Sequence, residues 1–243
     1  MVSGGTAAMN EIMERDLDAL MRRTASRPLV TRSMSLLHAS AVSLSMIVGG
    51  TVFLGFATNW LTAALTLATS LVYLLGYTPL KKVAPICTFV GAFPGAMPPV
   101  LGWTAIRGRL DAEAFVLFAI LFFWQFPHFH SIALLYREDY ERAGVRMLPV
   151  VEPDGFSTAR AIMIYAIALV PVTLAPTMLG MSGKIYFFGA LLLGAAVLYI
   201  SSRIWRQHLS PGTPQAKVLA RHLLQATVFY LPLLFALMMI DSL

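Results

Sequence analysis

Seven stretches of the chain, roughly 34–56, 58–77, 83–103, 112–135, 160–181, 184–203 and 222–241, keep a mostly apolar composition for the ~20 residues needed to cross a bilayer. In lipid each must satisfy its own backbone polar groups, and a helix does so within the segment. The expectation is an all-α polytopic membrane protein, one transmembrane domain over 1–243. Composition agrees: 58% of the 243 residues are hydrophobic and 12% charged, with mean hydropathy +0.72, against about 25% charged in soluble domains. The single cysteine, Cys87, excludes an intramolecular disulfide framework. Met1–Met13 lacks the basic and apolar regions of a signal peptide. It reads as the inner end of a helix whose beginning is missing, an eighth helix unable to cross a bilayer alone.

The net charge of +6 is a matter of loop placement, not a nucleic-acid signal. With loops assigned alternately to the two membrane faces, 14–33, 78–82, 136–160 and 203–221 hold 15 of the 18 Lys and Arg residues. Only Arg107, Arg109 and Lys184 fall on the other side. Basic loops favour the cytoplasm, so this face of a cell inner membrane is expected to be cytoplasmic. Nine of the 12 carboxylates share it: Glu11, Glu14, Asp16 and Asp18 in the first segment, and Glu138, Asp139, Glu141, Glu152 and Asp154 in the third.

Asn10, Glu14 and Asp18 are spaced i, i+4, i+8, one stripe of a helix; Glu11 borders it and Asp16 points elsewhere. Three oxygen-bearing side chains at a membrane boundary suit a hard cation such as Mg2+, which takes one or two carboxylates and completes its shell from water and substrate phosphate. Arg22, Arg23 and Arg27 follow closely and suit phosphate oxygens. The competing reading is a solvated helix end, with Glu14 paired to a neighbour such as Arg15. The second cluster, Glu138 and Asp139 with Arg137, Arg142 and Arg146, favours a metal-bridged diphosphate held at both ends.

Gln125 and His128 lie within an apolar span, where polar groups are a site hypothesis; interhelical hydrogen bonding is the alternative. His128 and His130 are two apart and face different directions. Lys81 and Lys82 sit at a span boundary, to bind anions or to enforce topology. Gly91, Gly95 and Gly102 with Ala92 and Ala96 permit close helix approach. Pro94, Pro98, Pro99, Pro171 and Pro176 lie inside spans.

Asn10–Asp18 followed by Arg23-Thr24-Ala25-Ser26-Arg27-Pro28 resembles the first acidic motif of the UbiA superfamily of intramembrane prenyltransferases. Three further stretches, Tyr77–Lys82, Gly91–Trp103 and Trp124–Pro149, resemble its protohaem IX farnesyltransferase (haem O synthase) branch. The resemblance spans nearly the whole chain. It implies a UbiA-type helical bundle and transfer of farnesyl from farnesyl diphosphate to a vinyl group of haem B. Mg2+ would bridge diphosphate to the two motifs through Asn10, Glu14, Asp18 and Asp139, with Glu138 beside them. Arg23, Arg27, Lys81, Lys82, Arg137, Arg142 and Arg146 would bind substrate phosphate, and Gln125 and His128 the acceptor. A haem A synthase or terminal oxidase assembly would take the product. Tyr136 and Tyr140 stand where the wider superfamily often has Asp, as is typical of the haem branch. Glu14 replaces the usual Asp, and Cys87 a common Asn. The family has nine spans, so the chain is expected to lack the first helix and most of the second. Three other readings stand beside it: a prenyltransferase acting on an aromatic quinone precursor, a transporter or channel gated by its acids, and an inactive truncated fragment. The clustering of acids on one face argues against the transporter.

Overall fold

The computed structural model describes residues 1–152, 154–207 and 209–242. Among the described residues eleven α-helices follow in order: α1 Val2–Asp18, α2 Leu36–Ala57, α3 Trp60–Leu71, α4 Thr78–Leu80, α5 Cys87–Arg107, α6 Ala112–Leu135, α7 Arg137–Arg142, α8 Leu148–Val151, α9 Phe156–Met178, α10 Lys184–Gln207 and α11 Pro214–Ile240. A π-helical turn, Val72–Tyr77, joins α3 to α4. Among the described residues seven helical segments are long and apolar enough to cross a membrane, matching the seven expected, and the protein is a multi-pass membrane protein. Large apolar side chains such as Leu37, Phe56, Ile106 and Met239 lie exposed on these helices, as lipid contact requires.

Helix ends depart from the expected spans for a physical reason. Apolar content locates the part of a helix in hydrocarbon, while caps locate its ends. The seventh span, expected from 222, begins at Pro214, where the Thr213 side chain accepts from Ala216 N–H and Pro occupies the first turn. Lys217 and Arg221 are therefore helical. The expected 203–221 loop shortens to the connection between Gln207 and Pro214. The first helix continues through Asp18, so the whole acidic stripe is on α1.

The chain forms two compact units: Met1–Leu110 with Glu138–Met147, and Asp111–Arg137 with Leu148–Leu243. In the first, α1 packs on α2, α2 on α3 and α3 on α5, and α1 also meets the π turn and α4. The α1–α2 crossing is close because Gly5 and Gly50 lack a Cβ. One added at Gly5 would lie 2.7 Å from Ser43 O, and one at Gly50 2.7 Å from Val2. Ser43 Oγ donates to Gly5 O at 2.6 Å across this contact. In the second unit α6, α9, α10 and α11 pack in a closed ring around Ile120, Ile162, Leu169, Tyr186, Leu223 and Leu234.

Candidate functional site

The first unit draws four stretches together around the α1 stripe. Asn10, Glu14 and Asp18 are all buried, while Glu11 is half-buried and Asp16 exposed. Each buried acid has found a cation. Lys81 Nζ lies 2.7 Å from Glu14 Oε1 and 2.9 Å from Oε2. Arg27 Nη1 lies 2.6 Å from Asp18 Oδ2, and its Nε 3.5 Å from Glu11. Thus Glu14 does not pair with Arg15, which instead meets Asp16 on the exposed side.

Local turns bring Arg27 back to α1. Met21 N–H bonds Asp18 O, Thr24 N–H bonds Met21 O and Arg27 N–H bonds Thr24 O, so the chain curls at the helix end. The buried Thr24 hydroxyl also donates to Asp18 O at 2.9 Å, a second bond to that carbonyl at the helix end.

Lys81 is brought in by the segment after the π turn. Its ammonium also lies 4.5 Å from the Tyr77 ring centroid, within cation–π range. Its backbone carbonyl accepts from Arg146 N–H at 2.8 Å, tying the second acidic stretch to the first. Lys82 is exposed. The sequence left Lys81 between anion binding and topology; its contacts make it part of the acidic cluster.

In the second motif, Asp139 is buried and pairs with Arg142 at 3.2 Å, whereas Glu138 and Arg146 are exposed. Tyr140 is buried and its hydroxyl accepts from Arg23 Nη2 at 3.0 Å, with the guanidinium 5.0 Å from the ring centroid. Burial pushes the Tyr140 hydroxyl pKa up, partly opposed by Arg23. The residue therefore remains neutral while Arg23 bonds it. Arg137 bonds Pro149 O at 2.9 Å within the second unit.

Among the described residues no three His, Cys, Asp or Glu side chains converge on one point. The donor set nonetheless suits a hard divalent cation. Glu14 Oε1 is buried with no well-directed hydrogen bond, Lys81 satisfying the geometry only at Oε2. Glu14, Asp18 and the Asn10 amide offer oxygen ligands on one stripe, as Mg2+ requires.

The second unit contains the Gln125–His128 element. Its helix, α6, runs unbroken through Pro127. Gln125 is buried and its amide donates to Leu121 O at 3.1 Å. His128 Nδ1 lies 3.0 Å from Thr227 Oγ1, and its ring stacks on Trp124 at 4.5 Å. Trp124 Nε1 donates to Thr227 O at 2.8 Å. The Thr227 hydroxyl also reaches Leu224 O at 2.8 Å; with its one proton on that carbonyl it would accept from His128 Nδ1–H, the tautomer that leaves the lone pair on Nε2. His130 bonds Phe126 O on its own helix, so the two histidines make no joint site.

Four contributors escaped the sequence reading. Thr78 and Tyr77 lay in a stretch read for its lysines, Thr24 in one read for its arginines, and Thr227 had no local signal.

The UbiA prenyltransferase family model matches residues 1–224. This chain belongs to the UbiA prenyltransferase family. Among curated members, it is 66% identical over 241 residues to a protoheme IX farnesyltransferase of Koribacter versatilis, covering 99% of this chain and 78% of that protein. It is 48% identical over 241 residues to the protein of that name from Solibacter usitatus, covering 99% and 80%. A solved structure of digeranylgeranylglyceryl phosphate synthase aligns with TM-score 0.80 at 17% identity, covering 99% of this chain and 81% of that one. A UbiA homolog from Aeropyrum pernix K1 aligns with TM-score 0.67 at 17% identity, covering 97% and 85%. At these identities the two structures establish the UbiA fold alone.

Proposed function

We propose that the protein is a haem O synthase, transferring the farnesyl group of farnesyl diphosphate to a vinyl group of haem B. The observation that carries the diphosphate half is the buried α1 stripe, with Lys81 and Arg27 held against its acids. The acceptor assignment is supported by the protoheme IX farnesyltransferases at 66% and 48% identity and by Tyr140 in the second motif. Asn10, Glu14, Asp18 and Asp139 would hold Mg2+, which when bound would neutralise charge on the departing diphosphate. Lys81, Arg27, Arg23 and Arg142 offer cationic donors for phosphate oxygens.

The C1–O bond of farnesyl diphosphate breaks with its electron pair leaving on diphosphate. The vinyl π electrons form the new bond to C1. The cation left beside the porphyrin ring takes a water molecule, which loses a proton to give the hydroxyl. Apolar surroundings keep water from C1 before the acceptor does. The lone pair at His128 Nε2 is the proposed haem-side contact, for iron or for a donor on the macrocycle.

On this reading the acidic stripe faces the cytoplasm, the enzyme lies in the cell inner membrane, and the product passes to a haem A synthase or terminal oxidase assembly. Incubating the purified protein with Mg2+, farnesyl diphosphate and either haem B or 4-hydroxybenzoate tests the acceptor. The proposal expects prenylated haem alone; prenylated hydroxybenzoate instead would move the assignment to the quinone class.

A further inference from the structure

Thr78 is buried, directly after the π turn, and its hydroxyl lies 2.8 Å from Asn10 Oδ1 and 3.0 Å from Tyr73 O. The Thr78 backbone N–H also reaches Tyr73 O, the bond that closes the π turn. On the other side of Asn10, its Nδ2 donates to Glu14 Oε2 at 2.9 Å. A carboxylate only accepts, so Glu14 selects the NH2 end of the amide. With Nδ2 on Glu14, the amide oxygen is the atom that faces Thr78, so the Thr78 hydroxyl gives its one proton to Asn10 Oδ1 rather than to Tyr73 O. The two contacts fix one of two amide orientations differing by 180°, and Lys81 completes the chain on Glu14 at 2.9 Å.

The π turn makes this juxtaposition. Each helical residue advances the side-chain direction by about 100°, so the extra residue of a π turn rotates everything beyond it. It is that rotation which directs Thr78 and Lys81 at α1. Such turns recur at functional sites.

We propose that Thr78 is a positioning residue for the first acidic motif: its hydroxyl holds the Asn10 amide so that oxygen and Glu14 together face a metal–diphosphate group. This rests on the reading of the α1 stripe as a metal–diphosphate site. Without the hydroxyl the Glu14 contact alone holds the orientation, and the amide oxygen loses the donor that fixes its place. On this reading Thr78 acts through Asn10.

The test is binding of farnesyl thiodiphosphate, an unreactive analogue, to the protein in lipid nanodiscs, with and without Mg2+, as a cycle of Thr78→Val, Asn10→Ala and the double variant. Valine keeps the branched shape and removes the hydroxyl. With Mg2+, Thr78→Val is expected to weaken binding about 10-fold, the worth of one hydrogen bond. Thr78→Ser is expected to restore it, and in the Asn10→Ala background the valine should add nothing. Without Mg2+ the Thr78 variants should bind like the parent.

If Asn10→Ala weakens binding and Thr78→Val does not, the positioning role is overturned and the site reading survives. Equal losses from Thr78→Val in both backgrounds would also overturn it, showing a merely structural role. If Asn10→Ala has no effect, the site reading fails with it. Thr78→Ala serves in the same cycle should the valine variant not fold.

Discussion

Asp18 is the most enclosed acid of the stripe, at 1% exposure, and it holds Arg27 at 2.6 Å. Asp18→Asn keeps the shape and removes the charge. It is expected to lower turnover by about 100-fold or more, the scale on which lost electrostatic stabilisation is felt. The stability cost should stay near ~1 kcal/mol, because Arg27 is partly solvated and keeps Glu11. Steady-state rates alongside thermal melting separate the two, and an unchanged rate would remove Asp18 from the site. On the haem side, Thr227→Val frees His128 to turn and change tautomer, while Thr227→Ser retains the bond. The valine variant, like His128→Ala, is expected to alter the Soret absorption on titration with haem B; serine should preserve it. Identical spectra across the series would leave His128 a packing role. The acidic stripe was legible because i, i+4, i+8 spacing maps directly onto a helix face. Thr78 and Thr227 were not, because their partners lie 68 and 99 positions away in sequence; Lys81 was a candidate, but its pairing with Glu14, 67 positions away, was hidden for the same reason.

The π turn between α3 and α4 is the element on which the first motif depends. Sequence gave no sign of it: its residues, Val72-Tyr73-Leu74-Leu75-Gly76-Tyr77, read as ordinary apolar helix. Gly91 supports it from α5. A Cβ there would meet the Tyr77 ring at 2.6 Å, so the sequence expectation of close packing at Gly91 has a named partner. Gly91→Ala is expected to displace Tyr77 and cost about 1–3 kcal/mol as an overpacked contact. Because Tyr77 lies under the Lys81 ammonium, diphosphate affinity should fall too. Thermal melting and analogue binding check this, and a variant with wild-type stability and affinity would show the ring contact to be slack. A second element sets the contrast. Asp241, at the end of α11, accepts from Tyr186 N–H at 2.8 Å in the first turn of α10. Asp241→Ala should cost about 1 kcal/mol as a lost cap and leave kcat unchanged, since it touches no proposed site residue.

For the whole molecule, span count was legible because about twenty apolar residues are a physical requirement of the bilayer. Span ends were not, since the α11 start depends on Thr213 and Pro214 rather than on hydropathy. The division into two compact units was also hidden, because it is a property of contacts and not of linkers: the chain returns to the first unit at Glu138–Met147. The proposed orientation rests on the charge of the loops, and reporter fusions after Arg32 and after Arg146 are expected to report cytoplasm. The reaction itself is read by incubating purified protein in nanodiscs with Mg2+, farnesyl diphosphate and haem B, then analysing porphyrins by mass spectrometry, with Asp18→Asn beside it. The parent is expected to form haem carrying one farnesyl and one hydroxyl, a product nearly absent with Asp18→Asn. Unmodified haem from folded parent protein that binds both substrates would contradict the proposed reaction.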